Sequence, residues 1–250
     1  MPISIDLSGR VALVTGGTKG IGAVIADRLA DAGATVVVCG RSEPAASRHR
    51  FLACDVREAD QVAELVDRIA GEHGSLDVAV NNAGGSPTVD AADASPRFFE
   101  AILRLNLFAA MWVAQAANRV MQEQEHGGAI VNIASVSGIR PSPGTAAYGA
   151  AKAGLLNLTN TLAIEWAPKV RVNAVTAGMV ATEDSLEHYG GADRVTAVAE
   201  TVPMQRMGTP LDVADAVVFL ASPLAAYATG ANLLLHGGGE WPAFLRAAQD

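Results

Sequence analysis

Three groups of residues in this 250-residue chain have types and spacing suited to chemistry. The first is Thr15-Gly16-Gly17-Thr18-Lys19-Gly20-Ile21-Gly22, which follows an apolar run at residues 10–15 and opens a helical pattern at residues 20–32. Glycines in that place admit a tight turn and a close approach of backbone to pyrophosphate, while the unpaired N–H groups of a helix start attract the anion. The spacing Gly16-x3-Gly20-x-Gly22 differs from the G-x-G-x-x-G fingerprint, and helix–strand packing alone also calls for glycine. The second group is Tyr148 and Lys152, four residues apart and so on one face of a helix. A phenol titrates near about 10 unperturbed, so a tyrosine acting as general acid or base near neutrality needs a cation beside it. The third is Ser135, which closes the run Ala-Ile-Val-Asn-Ile-Ala-Ser, at the carboxyl edge of a strand where open α/β sheets bind ligands.

The elements that must position these groups follow from hydrophobic periodicity. Seven short β-type runs lie at residues 10–15, 35–39, 51–54, 76–80, 129–134, 170–175 and 231–236. Helical patterns with apolar residues at three-to-four spacing separate most of them, at residues 20–32, 59–72, 96–124, 147–166 and 211–221. Alternation of this kind predicts a parallel, seven-stranded sheet in a single α/β domain, residues 1–250, with helices on both faces. Strands reading Val-Ala-Leu-Val and Thr-Val-Val-Val, without in–out alternation, agree. The connection at residues 40–50 is short and holds Pro44, so a loop is expected there. Residues 177–210 form a long insert, of which about 179–207 is expected to be a substrate lid carrying Met179, Leu186, Tyr189, Met204 and Met207.

Composition narrows the partners. Half the residues are apolar and only 18% are charged, against about 25% in an ordinary soluble domain, which excludes disorder. A net charge of −8 opposes binding to nucleic acid or anionic membranes. The N-terminus lacks a basic segment leading into an apolar run of signal length, and no apolar stretch approaches a membrane span of about 18 residues, so a cytoplasmic location and no membrane partner are expected. Cys39 and Cys54 are too few for a disulfide framework and read as buried free thiols. No metal site is expected.

With Ser135, Tyr148, Lys152 and the glycine turn at these spacings, the chain resembles the short-chain dehydrogenase/reductase family over nearly its whole length. Asn81-Asn82-Ala83-Gly84 matches the family's Asn-Asn-Ala-Gly, Asp55-Val56 its adenine-side Asp-Val, and Asn106 its helix asparagine. Ala177-Gly178-Met179-Val180-Ala181-Thr182 corresponds to Pro-Gly-x-x-x-Thr, with Ala177 in place of proline and one turn expected to loosen. The resemblance implies a doubly wound Rossmann-type fold and hydride transfer between a nicotinamide cofactor and a carbonyl or secondary alcohol. It implies that Tyr148 moves the proton, Ser135 hydrogen-bonds the same oxygen, Lys152 lowers the phenol's pKa and binds ribose, and Asn106 kinks its helix and holds a relay water. Cofactor contacts are then expected from Gly16, Thr18, Lys19, Gly20, Ile21, Gly22, Arg41, Ser42, Asp55, Val56, Asn82, Ala83, Gly84, Gly178, Val180 and Thr182, besides Tyr148 and Lys152. Asn81 is expected to shape its turn.

An acid binding the free 2′-hydroxyl of NAD would lie at the end of the second strand, where Cys39-Gly40-Arg41-Ser42 has none. Arg41 and Lys19 suit a 2′-phosphate, so NADP(H) is preferred, with NAD(H) possible if Glu43 folds back. The lid's apolar residues point to a neutral, moderately apolar small-molecule carbonyl or alcohol, with His188 and Arg140 read as solvated or rim charges. A 3-oxoacyl thioester reductase is the alternative, disfavoured because residues 122–128 offer no basic docking site for an acidic carrier. A non-catalytic dinucleotide-binding scaffold or sensor, and an epimerase or dehydratase, are more distant readings. The resemblance and the low charged fraction suggest a homotetramer with Trp241 and Phe244 as anchors.

Overall fold

The computed structural model describes residues 4–183 and 190–247, and in it the apolar runs become seven strands. These are β1 (Val11–Thr15), β2 (Thr35–Gly40), β3 (Arg50–Ala53), β4 (Val78–Asn81), β5 (Gly128–Ser135), β6 (Val170–Ala177) and β7 (Asn232–Leu235). Every neighbouring pair is parallel and the order is β3-β2-β1-β4-β5-β6-β7. The winding therefore reverses between β1 and β4, and a crevice opens there at the carboxyl ends of the strands.

The helices are α1 (Gly20–Asp31), α2 (Ala59–His73), α3 (Pro96–Leu103), α4 (Ala109–Glu123), α5 (Ala146–Glu165), α6 (Ala192–Thr201) and α7 (Pro210–Ala221), with a short segment at Ala243–Ala247. Ala12 and Val14 of β1 pack under α1 and α7, while Val11 and Leu13 face α2, α4 and α5. Both faces are covered, which is why β1 is buried at every position and carries no polar alternation. The connection after β2 is a loop, as Pro44 predicts.

Three features differ from expectation. The helix expected at residues 96–124 contains one π-helical turn, Arg104–Phe108, between α3 and α4. Asn106 lies in it, and its Nδ2 donates to Ile102 O at 3.0 Å, so a side chain competes for a carbonyl of the preceding turn. The whole span Pro96–Glu123 is also long and apolar enough to cross a membrane by length and composition, although the sequence was expected to hold no such stretch. Its stripe Val113, Ala114, Ala117 and Met121 packs instead on the sheet. Finally, β6 continues to Ala177, which pairs with both Ser135 and Leu235, so alanine in place of proline leaves this residue in the sheet and loosens nothing.

The expected lid holds α6, which has no buried residue. Leu186, His188 and Tyr189 lie outside the described residues.

Candidate active site

The carboxyl ends of β1, β2, β4, β5 and β6 open on a cleft of about 900 Å³. At its floor the glycine turn is held by its neighbours. Gly16 has φ +62°, a conformation that L side chains rarely adopt. A Cβ on Gly22 would lie 2.3 Å from Gly16 O and 2.4 Å from Asn82 Nδ2, so only glycine lets α1 start this close to β1 and β4. Asn82 closes the arrangement by donating through Nδ2 to Thr15 O (2.9 Å) and Gly16 O (3.2 Å), and its own N–H donates to Thr15 Oγ1 (3.0 Å). α1 has no side-chain cap and no acid in its first turn, and Gly20, Ile21 and Gly22 line the cleft. An anion is the natural partner of such a helix start.

Beyond the turn, Ser135 at the end of β5 and Tyr148 in the first turn of α5 both line the cleft. Burial pushes the Tyr148 phenol above its ordinary value, outweighing the opposing effect of Ser135. Lys152, one turn further along α5, is buried, its Nζ donating to Ile133 O at 2.8 Å and lying 5.5 Å from the Tyr148 ring centroid. Burial pushes its ammonium down to about 8. The cation thus sits beside the ring but hydrogen-bonds backbone, and the phenol is not lowered in this arrangement.

Asn106 does not line the cleft. It lies behind it, accepting from Gly85 N at 2.8 Å and donating to Gly85 O at 2.9 Å, and so fastens the loop after β4 to the π turn. A Cβ on Gly84 would meet Asn106 Oδ1 at 2.7 Å and Lys152 Nζ at 3.4 Å, which places Asn106, Gly84 and Lys152 in one row. Asn81 is buried and bridges β4 to Ala110 O and Asn132 Oδ1, a structural role in keeping with the turn-shaping expected of it.

At the end of the cleft beside β2 and β3, Thr18, Lys19, Arg41, Asp55 and Val56 line the wall, while Ser42 and Glu43 do not. Ser42, expected as a cofactor contact, is exposed and lies outside this lining, next to Arg41, which is exposed and within it. Arg57, missed in the sequence, also lines this end and grips Asp55 through contacts of 2.6 and 2.9 Å, holding that carboxyl below its ordinary range. The only signal for it was its place two residues after Asp55. Cys39 and Cys54 are free, buried and also part of the wall.

On the far side Ala83, Gly84, Gly178, Val180 and Thr182 line the cleft as expected positions. The loop after β6 is pinned by Gly208, whose N–H donates to Met179 O (2.9 Å) and whose carbonyl accepts from Ala181 N (2.8 Å). The wall next to Tyr148 is polar. Ser137, Ser142 and Thr145 hydrogen-bond through their hydroxyls, Ser137 to Ser142 at 3.0 Å and Thr145 to Ser142 at 2.7 Å, and Arg140 and Glu183 join them. The cleft thus sets these hydroxyls beside apolar groups such as Val136, Met179 and Val180. Met207 is buried in the core, Met204 is exposed, and of the lid's described apolar groups only Met179 and Val180 reach the cleft.

Sequence and structure comparisons agree with this geometry. A family model described as enoyl-(acyl carrier protein) reductase matches residues 16–240. The 2-dehydro-3-deoxy-D-gluconate 5-dehydrogenase of Escherichia coli is 33% identical, with 94% of this chain and 97% of the relative covered. The 3-oxoacyl-(acyl-carrier-protein) reductase of Vibrio cholerae is 35% identical, with 94% and 98% covered. The ligand-free structure of Thermoplasma acidophilum aldohexose dehydrogenase superposes with a TM-score of 0.90 at 33% identity, covering 94% of this chain and 96% of that one. The chain belongs to the short-chain dehydrogenase/reductase family. It is an NAD(P)-dependent oxidoreductase acting on alcohol or carbonyl substrates.

Proposed function

We propose that the enzyme interconverts a hydroxylated carbonyl compound and its secondary alcohol with NADP(H), using Tyr148 as general acid and base. The observation that carries this reading is the convergence of Ser135, Tyr148 and Lys152 on one cleft beside the uncapped start of α1. That cleft suits a dinucleotide: the helix start offers N–H donors for a pyrophosphate, and the crowded glycines leave backbone, not side chains, at the surface. When bound, the nicotinamide supplies or accepts the hydride.

The chain's own residues handle the proton and the charge. In the reducing direction Ser135 donates a hydrogen bond to the substrate oxygen as negative charge grows there, and Tyr148 delivers the phenolic proton. Lys152, released from Ile133 O toward the cofactor ribose, offsets the charge left on the phenolate. Its position one turn from Tyr148 and its buried ammonium support this role. Asn106, fastened to Gly85 behind Lys152, suits the relay that returns protons from solvent.

NADP(H) is favoured because Arg41 and Lys19 line the adenine end, Asp55 is engaged by Arg57, and Glu43 stays outside. Hydroxyls of Ser137, Ser142 and Thr145 support a hydroxylated substrate, since hydroxyls paired with one another at the wall can exchange partners with those of a ligand. The Vibrio relative's name favours a 3-oxoacyl thioester, and the same polar wall weighs against it. A panel of neutral and hydroxylated carbonyls and alcohols, assayed with each nicotinamide cofactor by its absorbance, tests the proposal. Turnover with NADPH is expected, and consumption of neither cofactor would refute it.

A further inference from the structure

Arg140 leaves β5's following turn and lines the cleft beside Ser137 and Tyr148, where its guanidinium is met by a carboxylate from the other end of the chain. Glu240 Oε1 accepts from Arg140 Nη2 at 2.6 Å, a contact between residues 100 apart in sequence. Getting Glu240 there takes an unusual backbone: Gly237, Gly238 and Gly239 have φ of +63°, +96° and +84°. The run is fixed against the end of the lid, with Met204 N donating to Gly237 O at 3.1 Å and Pro203 so close that a Cβ on Gly238 would meet it at 3.0 Å.

The pairing is incomplete on the guanidinium side. Arg140 Nη1 donates to its neighbour Pro141 O at 3.1 Å, but Nε is buried and has no hydrogen-bond partner. Nε and Nη2 form the edge that a carboxylate takes with both oxygens. Glu240, tethered by the glycine run, uses only half of it. A buried N–H left without a partner is costly, and a partly exposed ion pair contributes little, so a free carboxylate able to engage both nitrogens displaces Glu240 at small cost. The electrostatics point the same way. In a chain of net charge −8, the described lining of the cleft holds five cationic side chains against two carboxylates, and on the side of Tyr148 these are Arg140 and the buried Lys152 against Glu183.

We infer that Arg140 is a specificity-determining residue that binds a carboxylate carried by the substrate, and that Glu240 is an internal placeholder displaced when it binds. This rests on the oxidoreductase reading above and narrows it to a hydroxy or oxo acid with a hydroxylated chain. Arg140 recognises and positions the substrate, and the proton chemistry stays with Tyr148.

Calorimetry on the cofactor-loaded protein with D-gluconate and D-sorbitol separates the two ideas, because these chains differ in bearing a carboxylate or a hydroxymethyl at one end. Gluconate is expected to bind the wild type at least tenfold more tightly than sorbitol. Arg140→Met should abolish that difference and leave sorbitol unchanged, Arg140→Lys should recover only part of it, and Glu240→Gln should tighten gluconate severalfold. Equal binding of the two probes, no binding of either, or an Arg140→Met loss that is the same for both would overturn the inference. Redox turnover of the carbonyl panel judges the oxidoreductase reading separately, and thermal melting of each variant excludes misfolding.

Discussion

Tyr148, Lys152 and Arg41 carry distinct physical burdens, and each predicts a different defect. Removing the phenolic oxygen in Tyr148→Phe deletes the transferable proton while keeping the ring, so activity should fall below a tenth of wild type with cofactor affinity nearly intact. Steady-state rates alongside a cofactor titration check this. Lys152 has its ammonium pushed down to about 8 by burial, well under the roughly 10.4 of a free lysine. Between those values the unfolded chain binds the proton and the folded chain does not, so stability of the cofactor-free protein should rise with pH across that window. Lys152→Met should flatten the rise and weaken cofactor binding together, and melting curves that keep the slope in the variant would contradict the assignment. Arg41→Ala should weaken NADPH by about 1.5–3 kcal/mol, roughly ten- to a hundredfold, and hardly alter NADH. A wild type that binds NADH more tightly would show that another group reads the ribose.

Strands and helices are held in register by polar staples as well as by apolar packing. At the amino end of the sheet, away from the cleft, Asp77 accepts from Val11 N (2.8 Å), Arg10 (2.9 Å), Ser75 (2.9 Å) and His126 (2.5 Å). Burial pushes its carboxyl up, but these donors together outweigh burial and hold it below its ordinary value. A carboxylate with a lowered folded pKa stabilises fully above its unfolded value near about 3.9, and that contribution is lost as pH falls through the folded value. Asp77→Asn is therefore expected to cost about 1–3 kcal/mol near neutrality, and the gap from wild type should close in strong acid. Denaturant titrations at several pH values measure both, and a gap that does not change with pH would assign the stabilisation to shape rather than charge.

At the level of the whole chain, exposed apolar side chains among the described residues include two sets on helical faces, besides those near the C-terminal tail. Leu211 and Phe219 of α7, with Leu224, Tyr227 and Leu234, form one set, and Phe99, Phe108 and Ile164 lie on the α3–α5 side. Two such faces suit two two-fold contacts and hence a closed tetramer. Light scattering at micromolar concentration is expected to give the tetramer mass, and a stable monomer would refute the assembly. Trp241 and Phe244 are 51% and 72% exposed, so much of each ring is left uncovered by its own subunit. Truncation after Gly239 removes both together with Glu240, and loss of activity with the assembly intact would place the tail at a pocket.

Much of this was legible along the chain. The seven strands and the helices covering them follow from apolar periodicity, which neighbours a few residues apart encode. Tyr148 and Lys152 share a face because one helical turn separates them, and Ser135 reaches the cleft because its strand ends there. The remainder depends on segments far apart in sequence. Ser42 lies outside the cleft lining, and Arg57, which no motif singled out, takes a place in it through its pairing with Asp55. Of the lid's described methionines only Met179 reaches the cleft while Met207 is spent on the core, and Ser137, Ser142 and Thr145 add hydroxyls to the wall beside Tyr148. No local pattern joins Arg140 to Glu240 across 100 residues. Periodicity tells a residue which face to bury, because burial is a property of its own element. The composition of a pocket wall is set by which elements converge, and that is decided by the packing of the whole sheet.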